Sequence, residues 1–259
     1  MTEPLISTRN LNKRFGAVVA ADDVTLAIAQ DETVGIIGAN GAGKTTFLNI
    51  VTGYLKPDSG LVLFRGLDIT QKSPREVTRL GIRRSFQVAQ LFPNLSARDN
   101  LLVALASAES EWPTLSAILR TPARLAKAEE ILADLKIGHA AERLVPELPQ
   151  GQRKLLDIAL AMMGNLALLL FDEPTSGISA QEKFPLMDRV MGATAERSAT
   201  VVFIEHDMEI VERYARRVIA FYDGRIIADG LPDAVLANAD VRRYVVGAEL
   251  HRRGERPHS

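Results

Sequence analysis

The chain has 259 residues, 47% hydrophobic and 24% charged, with 31 Lys plus Arg against 32 Asp plus Glu and no cysteine. That usage excludes a disordered, charge-imbalanced polymer; it gives no net drive toward nucleic acid, so no such partner is expected; and it removes disulfides, zinc-thiolate sites and thiol nucleophiles together. The opening residues MTEPLISTRNLNKRF show no basic segment followed by an apolar one, and the most apolar stretch, 155–171, is interrupted by Asp157, Gly164 and Asn165. Neither a secretory signal nor a spanning helix, which needs roughly 18 to 20 clean apolar residues, is expected, and the chain is expected to remain in the cytoplasm.

In chain order, LISTRNL and VTLAIA read as strands rich in β-branched residues, and TVGIIG is an apolar run ending at a glycine, the pattern of a buried parallel strand. KTTFLNIVTGYL then places Phe47, Ile50 and Val51 on one helical face, with Gly53 where the helix would stop. A turn at KPDSG, a strand LVLFR, a helix opened by Ser73-Pro74 and a short strand around Arg84 to Gln87 follow. From Pro93 to Gln152 the pattern is helix upon helix, including ARDNLLVALASA and a face of Ala128, Ile131, Leu132 and Leu135; Trp112 in the connection reads as a packing anchor. GQRKLLDIALAMM is a helix with Leu155, Ile158, Ala159 and Met162 on one face, and LALLLFDE, TVVFIEHD and RVIAFYDG are three more apolar strands separated by helical segments. Alternating strands and helices imply an α/β fold with a mainly parallel sheet, here carrying an inserted helical subdomain.

Two segments carry phosphate chemistry. Gly38 to Thr45 reads G-x-x-x-x-G-K-T, between a strand and a helix. Glycines at that spacing let backbone N–H groups wrap phosphate oxygens, the helix N-terminus adds its positive end, Lys44 reaches the β and γ phosphates, and Thr45 offers a hydroxyl to Mg²⁺. About 130 residues later a hydrophobic strand ends in Asp172 and Glu173. The first acid is placed to hold the magnesium shell and the second to accept a proton from water attacking the γ-phosphate.

With these residues the sequence resembles the ATP-binding subunits of ABC transporters along nearly its whole length. The resemblance rests on GANGAGKTT at 38–46, Gln87 ahead of the helical insertion, LPQGQ at 148–152, LLLFDEPTSG at 168–177 and His206 in VVFIEHD. Within that family, RRSFQVAQLFPNLSARDNLLVALAS, the connection at 112–126 and the ending DVRRYVVGAEL look most like the ATPases of branched-chain amino acid uptake. The resemblance implies a P-loop, RecA-like core formed by 1–92 and 153–247, an N-terminal antiparallel β element, a helical insertion at 93–152 and a flexible tail at 248–259. It implies that Phe15 stacks on adenine, that Asn40, Gly41, Ala42, Gly43, Lys44, Thr45 and Thr46 hold ATP, that Gln87 contacts Mg²⁺ and the attacking water, and that His206 touches the γ-phosphate. His139, His251 and His258 match nothing and are expected to be solvated.

Two departures from the family pattern matter. Where the family usually has LSGGQ, Pro149 replaces the serine and Gln150 the first glycine, followed by Gly151 and Gln152. Proline brings no hydroxyl and no N–H but suits a helix first turn, so the contact to a partner's γ-phosphate is expected to be weakened rather than abolished. Ser179 stands where the loop after the Asp172–Glu173 strand usually ends in an aspartate. The implied assembly is a head-to-tail dimer with a second ATPase subunit, a heterodimer favoured over a homodimer. It works with two membrane permease subunits and, indirectly, a periplasmic solute-binding protein, at the cytoplasmic face of the inner membrane. Amino-acid import is the expected role; urea, an aromatic acid or an exported lipid are alternative cargoes, and a soluble ABC ATPase without a permease is the alternative from another class.

Overall fold

The computed structural model describes residues 3–85, 91–109 and 119–246. In chain order the elements are β1 (Ile6–Phe15), β2 (Val18–Ile28), β3 (Thr33–Gly38), α1 (Lys44–Val51), β4 (Ser59–Phe64), β5 (Leu67–Asp68), α2 (Pro74–Arg79), β6 (Ile82–Ser85), α3 (Ala97–Glu109), α4 (Pro122–Asp134), α5 (Gln150–Ala161), β7 (Leu168–Asp172), α6 (Ala180–Ala195), β8 (Thr200–Ile204), α7 (Met208–Tyr214), β9 (Arg217–Tyr222), β10 (Arg225–Gly230), α8 (Pro232–Ala237) and α9 (Ala239–Val241). They fall into two compact units, Met1–Val77 with Thr200–Ser259, and Thr78–Ala199.

In the first unit β1 pairs antiparallel with both β2 and β4, and β5 continues from β4 as a short antiparallel edge. This is the expected N-terminal antiparallel element. A second sheet is built on β3, which runs parallel to β8 on one side and β9 on the other. Val34, Ile36 and Ile37 of β3 have no exposed surface, because helices cover this sheet and a continuous apolar run is what such a strand requires. Helix α1 packs on β2 and β3, with Phe47 against Phe221 of β9 at a ring-centroid distance of 5.7 Å. The strand RVIAFYDG does not end the sheet. Asp223 and Gly224 both adopt left-handed backbone (φ 48° and 76°) and turn the chain into β10, antiparallel to β9, the hairpin geometry that an Asp-Gly pair favours.

In the second unit β6 and β7 are parallel, with Arg84 opposite Leu170 and Ser85 opposite Phe171. The short strand expected around Arg84 to Gln87 begins two residues earlier, at Ile82. Gly81, at φ 98°, accepts hydrogen bonds from the amides of Ala167 and Leu168, and this fixes where pairing starts. Gln87 and Trp112 lie outside the described residues. The expected apolar faces are all buried: Ala128, Ile131, Leu132 and Leu135 around α4, and Leu155, Ile158, Ala159 and Met162 around α5. Helix α5 packs on β6, α3, α4 and α6, so the segment that begins at LPQGQ is the central helix of this unit. Among the described residues no helix is long and apolar enough to cross a membrane.

Candidate functional site

The glycine loop leaves the buried strand β3 and enters α1. Gly38, Gly41 and Gly43 have φ of 154°, 85° and 99°. At two of them the backbone leaves no room for a side chain: a Cβ at Gly38 would collide with the carbonyl oxygen of Phe221, and one at Gly43 with that of Ala20. Gly41 has open space around its Cβ position, so its left-handed backbone is the requirement there. The Ala42 amide donates to the Ala39 carbonyl (3.1 Å), the Gly224 amide to the Ala42 carbonyl (3.1 Å) and the Asp22 amide to the Gly224 carbonyl (2.9 Å), so the β9–β10 hairpin braces the loop.

Helix α1 starts at Lys44 with Gly43 as its N-cap and no side-chain cap, which leaves its first-turn amides to other acceptors. Lys44 is buried, and its ammonium donates to the carbonyl oxygens of Gly38 and of Ala39 (3.0 Å). The loop's own backbone thus solvates a charge that burial would otherwise penalise. Asn40 and Thr45 are exposed and Thr46 is half-buried.

Phe15, at the end of β1, is half exposed beside Val18, and the Lys13 ammonium lies 5.6 Å from its ring centre. Asp58 pins this strand end by accepting from the Lys13 ammonium (2.6 Å) and the Arg14 amide (2.7 Å). The Lys13 hydrogen bond, then the Arg14 amide, hold the Asp58 carboxyl below its ordinary range. His206 follows β8, half-buried, with its amide donating to the carboxylate of the buried Glu205 (3.2 Å).

In the second unit β7 is buried along its length and ends in the buried Asp172. Arg84 of β6 donates through Nη2 to Asp172 Oδ2 at 2.6 Å, with both side chains nearly fully buried. Sequence reasoning missed this ion pair, because only the β6–β7 register brings the two residues together. Glu173 is a non-glycine residue at φ 52°. A left-handed glutamate costs of order 1 kcal/mol or more, and such strain concentrates at functional positions. Its carbonyl accepts from the Ser176 amide (3.1 Å), which turns the chain immediately after β7.

The LPQGQ segment enters α5, but Pro149 is the N-cap rather than a residue of the first turn: its backbone is extended (φ −57°, ψ 156°) and it makes no side-chain cap. Its carbonyl accepts from the Arg153 amide (3.0 Å), while the Arg153 guanidinium donates to the carbonyls of Leu148 and Pro146, each at 2.8 Å. Gln150 is exposed, and its amide nitrogen occupies the space a Cβ on Gly177 would need. Glu182 of α6 lies next to Gly151 and accepts from the Ser179 hydroxyl (2.8 Å). An aspartate at position 179 would set a second carboxylate against Glu182, which gives the serine a local reason. His139, expected as a solvated residue, is exposed but also lies 3.1 Å from the Gln152 side chain. His251 and His258 lie outside the described residues.

These features fit ATP and magnesium. A backbone cradle that only glycines can form, an uncapped helix N-terminus and a buried lysine suit a polyphosphate. In the first unit the Thr45 hydroxyl at the start of α1, and in the second unit the Asp172 carboxylate at the end of β7, are each a hard oxygen donor of the kind Mg²⁺ takes. Among the described residues no group of three or more His, Cys, Asp or Glu side chains forms an all-protein metal cage.

Residues 21–176 match the family model described as ABC transporter. The chain belongs to the ABC transporter family, as one of its ATP-hydrolysing cassettes. Its relatives are more particular. It is 32% identical over 254 residues, 95% of this chain and 99% of the relative, to the high-affinity branched-chain amino acid transport ATP-binding protein LivG of Escherichia coli K12. It is 34% identical over 241 residues, 92% of this chain and 93% of the relative, to the probable LivG protein of Methanocaldococcus jannaschii. Among solved structures, the ADP conformation of MJ1267, an ATP-binding cassette of an ABC transporter, superposes with a TM-score of 0.81 at 31% identity, covering 93% of this chain and 98% of that one. The dimeric cassette MJ0796 follows at 0.75 and 26% identity, covering 88% and 98%.

Proposed function

We propose that this chain is the ATPase subunit of an importer for branched-chain or related amino acids, bound peripherally to permease subunits at the cytoplasmic face of the inner membrane. The observation that carries the reading is the 32% to 34% identity to proteins named for branched-chain amino acid transport, sustained over more than nine-tenths of the chain. In this reading the amides of Asn40 to Thr46 and the α1 N-terminus hold the phosphates, Lys44 neutralises the β and γ groups, and Phe15 stacks on adenine. Thr45 and Asp172, with Gln87, would hold Mg²⁺, which when bound draws negative charge from the phosphate oxygens.

Glu173 accepts a proton from water as the water oxygen bonds to the γ-phosphorus and the bond to the β-phosphate bridging oxygen breaks, releasing ADP and phosphate. His206 holds a γ-phosphate oxygen during that step. Pro149, Gln150, Gly151 and Gln152 face the nucleotide of a partner ATPase, and a head-to-tail pair closes over two ATP molecules. The missing hydroxyl at Pro149 favours two different ATPase subunits, because it handicaps one of the two sites and leaves the other intact.

The test is reconstitution of this chain with its permeases, binding protein and partner ATPase in vesicles. ATP-dependent accumulation of leucine, isoleucine or valine, abolished by Glu173→Gln, is the expected result. Uptake of urea or an aromatic acid instead, or lipid export, would move the cargo assignment while keeping the ATPase role.

A further inference from the structure

Strand β6 has the sequence Ile-Arg-Arg-Ser, two arginines between residues that are 1% exposed. Arginine is among the residue types least often buried unless paired. Side chains alternate along a strand, so Leu170 and Asp172 of β7 project from one face, and Arg84, opposite Leu170, projects from that same face. The register therefore directs the Arg84 guanidinium onto the Asp172 carboxylate, where the two form a buried pair at 2.6 Å. Buried ion pairs are weak devices for stability, since an apolar pair of similar volume often does as well. A pair built on the acid that ends β7 calls for another role.

We propose that Arg84 is a positioning residue that stands in for the cation: it neutralises and orients Asp172 before nucleotide arrives, so that the acid takes up magnesium only together with ATP. This rests on the assignment of Asp172 to magnesium made above. The guanidinium lies within hydrogen-bond distance of the same carboxylate that a divalent ion would approach, so it opposes binding of a free cation by charge repulsion. It also prevents an isolated buried carboxylate from turning away. Magnesium delivered on ATP adds the phosphate ligands and overcomes that opposition.

The test measures Mn²⁺ binding to the nucleotide-free full chain by electron paramagnetic resonance. Wild type and Arg84→Lys, which keeps the charge, should show no binding component sensitive to Asp172→Asn. Arg84→Gln should gain an Asp172-dependent bound component that wild type lacks, and that gain should be absent from Arg84→Gln/Asp172→Asn. Unchanged Mn²⁺ binding in Arg84→Gln, or a gain that survives in the double variant, would overturn the inference.

Should Arg84→Gln fail to fold, wild type still decides. The side-chain nitrogen resonances of Arg84, assigned by their loss in Arg84→Lys, should shift when Mg²⁺ is added to the complex with a non-hydrolysable ATP analogue, and constancy would refute the proposal. Asp172→Asn separates the two levels of the argument. If it removes the magnesium-dependent part of nucleotide affinity while Arg84→Gln changes nothing, only this inference fails. If it leaves that part intact, the metal assignment fails and this inference with it.

Discussion

Lys44 and Glu173 sit at opposite ends of the chemistry, and their local structures separate their expected phenotypes. Lys44 is buried with its ammonium on loop carbonyls, and in the proposed function it would exchange them for phosphate oxygens in the ground state as well as in the transition state. Lys44→Ala should therefore cost ATP affinity itself, and unchanged affinity in a nucleotide titration would contradict the assignment. Glu173 stands at φ 52° just past the end of a buried strand, a strained backbone of the kind found at functional positions. Glu173→Gln keeps size and hydrogen bonding but removes the base, so ATP should still bind while turnover nearly disappears. Retention of a third or more of wild-type ATPase in the assembled complex would sink it. Both residues stand out from spacing because the glycine loop and the acid pair are chemical patterns in sequence. The Arg84–Asp172 and His139–Gln152 contacts do not, since a pairing register and a fold of the chain bring them together.

Elements with a continuous apolar run or a clean helical face were readable to within a few residues, as β3 and α4 show, because burial on all sides or along one stripe imposes its period on the sequence. Strand β10 carries only the weaker pattern Arg-Ile-Ile-Ala-Asp-Gly on a half-exposed edge, and two-residue β5 has no room for a period. At this scale we also propose a permease contact. Its apolar cluster, Leu91, Phe92 and Pro93, precedes α3, and the buried Asn100 of that helix holds the Phe92 backbone, accepting from its amide (2.8 Å) and donating to its carbonyl (3.2 Å). The ring itself is 53% exposed, so core packing does not account for it. Anchored backbone with an outward apolar ring is the form of a docking residue. Phe92→Asp should release the permease in co-purification while the isolated subunit keeps its thermal midpoint, and an intact complex would count against docking there.

At the scale of the whole assembly the informative position is Pro149, because in the proposed head-to-tail pair each ATP site would borrow this segment from the other subunit. A serine there would add two things that proline lacks. One is a helix N-cap: Pro149 caps α5 without a side-chain hydrogen bond, and a cap hydroxyl stabilises by about 1 kcal/mol. The other is a hydrogen bond to a charged phosphate in the partner's site, worth roughly 1.5 to 3 kcal/mol, or about tenfold to a hundredfold in closure or turnover. The two have different readouts. Pro149→Ser should raise the thermal midpoint of the isolated subunit through the cap alone, whatever the assembly does. If the native proline handicaps the partner's site, the same change should also raise ATPase of the full complex, and that gain should vanish when the partner's catalytic glutamate is changed to glutamine. A higher midpoint with no gain in ATPase would assign Pro149 to the helix only and remove the argument for two unequal sites. A gain that persists without the partner's glutamate would place the effect in this chain's own site, against the head-to-tail arrangement proposed for the pair.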